Sequence, residues 1–123
     1  MPVNWHGPEA IRRMQEGAAR GLNRAARALL AESQARVPVD TGDLRSSGAT
    51  QDATPTELVA KVTYNASAED GFPYGVAVHE GLDMNFRTDH NPGAQAKFLE
   101  RPAMEMKNDL MDVVATEIKR ALG

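Results

Sequence analysis

Apolar residues recur along the first third of the chain with the period of a helix. Ile11, Met14, Ala18, Leu22, Ala25 and Leu29 form one stripe, the spacing of an amphipathic helix. Gly7-Pro8-Glu9 is a start signal, because proline is tolerated in a first turn and a carboxylate there meets the positive end of the helix dipole. Val37-Pro38 is the stop, since a proline disfavours the helical conformation in the residue before it. The pattern therefore predicts a helix over 8–36. Arg13, Arg20, Arg24 and Arg27 fall on the face opposite the stripe. Gly17 and Gly21 each cost about 1 kcal/mol against alanine inside a helix, so either they fray the first turns or they let a neighbour approach closely.

The period then changes to two. Leu58, Ala60, Val62 and Tyr64 alternate with Lys61 and Thr63, as on a half-buried strand. A second run over 74–80 sets Tyr74, Val76 and Val78 together. The stretch over 44–51, poor in β-branched residues, is a third strand candidate. Residues 38–42 and 52–56 read as turns and 65–73 as a polar loop. Residues 81–95 have loop composition, punctuated by Asn91-Pro92-Gly93, and a loop so long in a small domain suits an interaction, lid or disordered segment. Helical spacing returns near Pro102, with Ala103, Met106, Leu110, Val113, Val114, Ile118 and Ala121 opposite Glu105, Asp109, Asp112 and Thr116. The expected fold class is α+β, one domain over 1–123: a long N-terminal helix and a C-terminal helix packed on a small antiparallel sheet of three or four strands.

Composition narrows the chemistry. The chain has 123 residues and no cysteine, which removes disulfides, thiolate metal sites and a cysteine nucleophile. Aromatics are only 5%, so the core must be aliphatic. No apolar run approaches the roughly 20 residues that span a bilayer, and Met1-Pro2-Val3-Asn4-Trp5-His6 lacks the basic and apolar regions of a signal peptide. A soluble protein with no membrane partner, kept in a reducing compartment, is expected. The net charge of −3 excludes a histone-like polyelectrolyte. Its distribution is uneven: residues 1–36 hold six arginines against three glutamates, and the remainder holds eight basic and fourteen acidic side chains. A chain polarised in this way suits association with copies of itself or with neighbours.

Several local strings invite chemistry. Asp40-Thr41-Gly42 is the tripeptide of aspartic proteases, but it follows a helix and a proline instead of a buried strand, and Asp43-Leu44-Arg45 follows it. The same residues serve a turn in which Asp40 accepts backbone hydrogen bonds. His79-Glu80 lacks the second histidine of a helical zinc motif, and His6, His79 and His90 are too scattered to define a shared metal site. Asn65-Ala66-Ser67 matches a glycosylation acceptor, without meaning outside a secretory route. The arginine face has three readings: a solvated surface, a nucleic-acid contact, or a dock for an acidic patch on another subunit. No enzyme, metal or cofactor is expected.

Three strings together resemble one family, the neck and tail-completion proteins of long-tailed bacteriophages, also described as minor capsid or tail-component proteins. The first is Ala35-Arg36-Val37-Pro38-Val39-Asp40-Thr41-Gly42-Asp43-Leu44-Arg45-Ser46-Ser47. The second is Tyr74-Gly75-Val76-Ala77-Val78-His79-Glu80-Gly81, and the third Lys97-Phe98-Leu99-Glu100-Arg101-Pro102-Ala103. Leu82 stands where the family commonly has a small hydroxyl residue, and the 83–93 segment is longer than in compact members. The resemblance implies a structural virion protein at the head–tail junction, made in the host bacterial cytoplasm. It implies a homo-oligomeric ring, six copies by analogy with tail symmetry, between head-completion or connector proteins and tail-terminator or tail-tube proteins, with transient phosphate-directed contact to passing DNA. Within it, Pro38 and Gly42 would shape the turn, Leu44 would anchor the first strand, and Asp40 and Arg45 would clamp the turn or pair subunits. Phe98 and Leu99 would fill the space between sheet and C-terminal helix. The arginine face and the 81–93 loop would meet neighbours. The rival readings are a retropepsin-like protease using Asp40 and a small DNA-binding regulatory module using the basic helix.

Overall fold

The computed structural model describes residues 7–36, 45–65, 73–79, 84–88 and 97–123. Helix α1 spans Gly7–Arg36. Strands β1 (Ala49–Gln51) and β2 (Val59–Asn65) follow, then β3 (Pro73–His79) and β4 (Met84–Thr88), and finally helices α2 (Lys97–Glu105) and α3 (Lys107–Leu122). The protein is α+β, a long N-terminal helix and a C-terminal helix packed with the antiparallel pair of β1 and β2. Backbone pairing continues antiparallel from β2 to β3 and from β3 to β4, giving the order β1-β2-β3-β4.

The first helix is the centre of the structure. Leu22, Ala25 and Leu29 of its stripe are fully buried, and Ala18 with them. Ile11, at the start of the same stripe, is half exposed, because α1 runs on past the end of its helical neighbour. That neighbour is α3, antiparallel to α1: Gly17 lies against Glu117, Ile118 and Ala121, and Gly21 against Val114. A Cβ on Gly21 would stand 2.6 Å from the Val114 Cα, and one on Gly17 would stand 2.8 Å from the Ala121 Cβ. The two glycines thus serve close approach of a neighbouring helix. The face of α1 toward the sheet carries Leu22, Ala26, Leu29 and Ser33, which meet the inward row of β2.

That row is Ala60, Val62 and Tyr64, each fully buried, as the alternation predicts. Register sets Val78, Val76 and Tyr74 of β3 beside them in the same order. Among the described residues Tyr64 is the largest buried side chain, and its hydroxyl lies 2.6 Å from the Ser33 Oγ, which donates to the Leu30 carbonyl at 2.9 Å. Burial raises the Tyr64 phenol above its ordinary pKa, against the opposing pull of the Ser33 hydrogen bond and the Arg45 charge. Gly48 packs flat on this ring, where a Cβ would come 2.8 Å from Cε1.

Three expectations need correction. The strand candidate over 44–51 shortens to Ala49–Gln51, because residues 45–47 close a helical turn sealed by Gly48 N–H donating to the Arg45 carbonyl at 3.2 Å. The 81–95 segment is not all loop. Met84–Thr88 is a strand whose residues Met84, Phe86 and Thr88 register with Val78, Val76 and Tyr74; the alternation of Met84 and Phe86 with Asn85 and Arg87 is too short to outweigh the surrounding turn composition. The last helical segment begins at Lys97, not near Pro102. Leu99 extends the apolar phase of Ala103 and Met106 upstream of the proline, which sits inside α2. A corner follows at Met106 (φ −89°, ψ 1°), in the sparsely populated bridge region, and Met106 N–H still donates to the Pro102 carbonyl at 2.8 Å. α2 touches both α1 and β3, whereas α3 rests mainly on α1. The C-terminal helix is therefore layered on the central helix rather than laid across the sheet.

Gly21→Ala is expected to lower stability. Overpacking against the Val114 backbone costs about 1–3 kcal/mol, more than the about 1 kcal/mol gained by removing a helix glycine; a higher urea midpoint would show that the helices are free to part. Tyr64→Phe is expected to cost about 1 kcal/mol, the net worth of a typical hydrogen bond, in the same titration.

Candidate interaction surface

The arginine face is built by the register of α1 on α3. At about 100° per residue, Arg20 and Arg24 share one side of α1, beside the line where Gly17 and Gly21 admit α3. Glu117 of α3 is in phase with Leu110 and Val114 and so is carried into this contact, where it is buried. Burying a carboxylate is costly unless it is paired. Arg24 donates to its Oε2, Arg120 Nη1 reaches the same oxygen at 3.3 Å, and Arg20 Nε lies 3.7 Å from Oε1. The Arg24 hydrogen bond is the largest influence on Glu117; with the charges of Arg24, Arg120 and Arg20 it outweighs burial and holds the carboxyl below its ordinary pKa.

Three guanidinium groups surround one carboxylate, so the cluster keeps a net positive charge of two. The three arginine side chains are each at least half exposed. Most of their N–H donors remain directed at solvent, since each guanidinium carries five.

The remaining candidate arginines lie on the surface. Arg13 pairs with Glu9 at 2.9 Å and Arg27 with Asp52 at 3.8 Å, contacts that contribute little to stability in solvent. At the far end of α1, Arg36 bonds Glu105 at 2.7 Å and Glu32 at 3.0 Å. The Arg36 hydrogen bond holds Glu105 below its ordinary pKa, and Glu105 in turn raises Arg36.

Of the motif residues, Pro38, Asp40, Thr41, Gly42 and Leu44 lie outside the described residues, as do Glu80 and Gly81. Arg45 opens the helical turn before β1, and its carbonyl accepts from Gln34 Nε2 at 3.2 Å. Tyr74 and His79 are placed by backbone register opposite Tyr64 and Val59, and Phe98 by its backbone in α2. Leu99 and Pro102 are buried in the core. Leu99 and Pro102 thus serve packing.

Sequence reasoning assigned no role to Glu117 or to Asn23. The Asn23 amide grips the backbone of Ala53 with both ends: Nδ2 donates to the carbonyl at 3.1 Å and Oδ1 accepts the N–H at 2.6 Å. The legible signal for Glu117 was its position seven residues after Leu110, within the apolar phase. Nothing local marks Asn23.

Among the described residues no three His, Asp or Glu side chains are grouped to hold a metal ion, and no helix is long and apolar enough to cross a membrane. No protein-family model, curated protein or solved structure matches the chain.

The lowered Glu117 and Glu105 fix the sign of an acid dependence. Their contribution to stability is complete above the ordinary glutamate pKa and is lost as pH falls through the lowered folded values. Thermal midpoints of the parent and of Glu117→Gln, taken from pH 7 downward, are expected to converge in acid. Two parallel curves would show that Glu117 carries no such linkage.

Proposed function

We propose that this chain is a structural virion subunit of a long-tailed phage, a neck or tail-completion protein that forms a ring at the head–tail junction. The carrying observation is the ordered set of three strings, at 35–47, 74–81 and 97–103, spread over an α+β chain with long helices at both ends. Burial of Leu99, Pro102 and Ala103 supports a signature that serves shape. In this reading the subunit sets its helices on a small sheet of three or four strands. Its partners are copies of itself, head-completion or connector proteins above, and tail-terminator or tail-tube proteins below. The protein is not an enzyme.

The positive excess at Arg20, Arg24 and Arg120 also fits a transient contact with backbone phosphate as genome passes, which would weaken steeply with salt. It equally fits a carboxylate surface on a neighbouring ring, favoured by charge complementarity.

Purified protein is expected to form closed rings in electron micrographs, alone or on isolated heads or tails. It should restore tail joining to a phage lacking it, and Asp40→Asn should alter only folding or assembly. A strict monomer that binds neither heads nor tails overturns the proposal. Peptide cleavage abolished by Asp40→Asn would replace it with the protease.

A further inference from the structure

The surface around Glu117 has a composition that its net charge alone does not describe. Arg13, Arg20, Arg24 and Arg27 follow one another in steps of seven, four and three residues, which keeps them on one line of α1, and all four are exposed. Across the contact with α3, Arg120 joins Arg20 and Arg24 at the Glu117 carboxylate. Arg120, Thr116, Val113 and Asp109 form the adjoining line of α3. No aromatic and no exposed large apolar side chain stands on either line. The large apolar side chains that these helices do expose are turned away: at about 100° per residue, Ile11 lies half way round α1 from Arg13, and Met111 and Leu122 half way round α3 from Arg120.

We propose that this strip is a binding site for the phosphate backbone of a nucleic-acid duplex, and that Glu117 both positions its guanidiniums and limits their hold. Net charge admits a phosphate or a carboxylate partner; composition separates them. A protein surface docks through a patch with an apolar centre, which the strip does not offer. Single-stranded bases are held by stacking on aromatic rings, which it also lacks. What it presents is a planar group with five N–H donors at each of three positions, and phosphate oxygens accept such donors in pairs. Contact of that kind positions a duplex without reading its sequence. Asp109 bounds the strip, on the same line of α3 as Arg120 and about 16 Å from it at 1.5 Å per residue.

Glu117 sets the strength of the site. Buried between the helices, it gathers two arginines from α1 and one from α3 onto a single point, so their order does not have to be gained on binding. Its own charge cancels one of the three. A single subunit therefore holds a duplex loosely, and subunits already held together hold it more firmly; in that respect the inference deepens the phosphate contact, and rests on the self-assembly, proposed above.

The test is the salt dependence of binding to a fluorescent duplex of arbitrary sequence, read by anisotropy on the full chain from about 20 to about 200 mM salt. Arg20→Gln and Arg120→Gln, both at exposed positions, are each expected to weaken binding and to flatten the slope of log affinity against log salt by about one for every subunit in contact. Glu117→Gln keeps an acceptor for Arg24 but removes the charge, and is expected to tighten binding and steepen the slope by about one. Lys61→Gln, an exposed cation on β2, should leave the slope unchanged, and circular dichroism should be native for all four variants. No binding at the lowest salt overturns the site. So does an equal loss in Lys61→Gln, which would mark diffuse attraction, or polyglutamate competing as well as unlabelled duplex, which would assign the strip to a carboxylate partner. A Glu117→Gln slope no steeper than the parent's removes the role given to Glu117. Rings that join heads to tails but bind no duplex would sink the phosphate site and spare the virion reading; duplex binding through these arginines in a protein that joins neither would do the reverse.

Discussion

Where Gly17 and Gly21 face α3, two helix backbones lie so close that a single added carbon would collide with the opposite chain. Dispersion energy falls off steeply with separation, so this proximity gains contact where α1 itself carries no side chain. It also decides what else can be near. Drawing the helices together carries Glu117 under the arginines of α1, and it leaves α3 resting on α1 away from the sheet. The opposite face of α1 is free to present Leu22, Leu29 and Ser33 to β2.

Apolar contact is non-directional, and a core so rich in alanine and leucine would tolerate sliding. Directional polar contacts tie separate elements to α1 at different heights. Glu117 is held at Arg20 and Arg24, the Ala53 peptide at Asn23, Tyr64 at Ser33, the Arg45 carbonyl at Gln34, and Glu105 at Arg36. Buried polar groups are costly when unpaired, so a shift of any element along α1 would be penalised at several of these points together. One helix thus sets the register of the others.

The same arginines also set the charge of the surface. Arg24 is engaged inside the molecule, yet one carboxylate cannot neutralise three guanidiniums. The face is therefore both a fastening within the fold and a positively charged outer surface. Helix α3 has a comparable double character: Ile118 packs partly on the core while Met111 and Leu122 are exposed. A small fold with so few layers leaves single helices buried on one side and exposed on the other.

Periodicity by itself determined α1, β2 and the apolar phase of α3. Burial alternates with the hydrogen-bonding geometry of each element, and that geometry is local. It also posed the right question at Gly17 and Gly21, where a costly residue in a helix demands either fraying or a close neighbour. Only the tertiary structure chose the neighbour, because the partner of a glycine groove lies about ninety residues away and leaves no local trace. The same holds for the strand at Met84–Thr88, which becomes a strand by pairing with β3, and for the helical start at Lys97, where core contacts at Leu99 accommodate a proline inside the helix. Glu117 is the plainest case: its phase placed it on the apolar side, but burying a charge there depends on guanidiniums supplied by another helix.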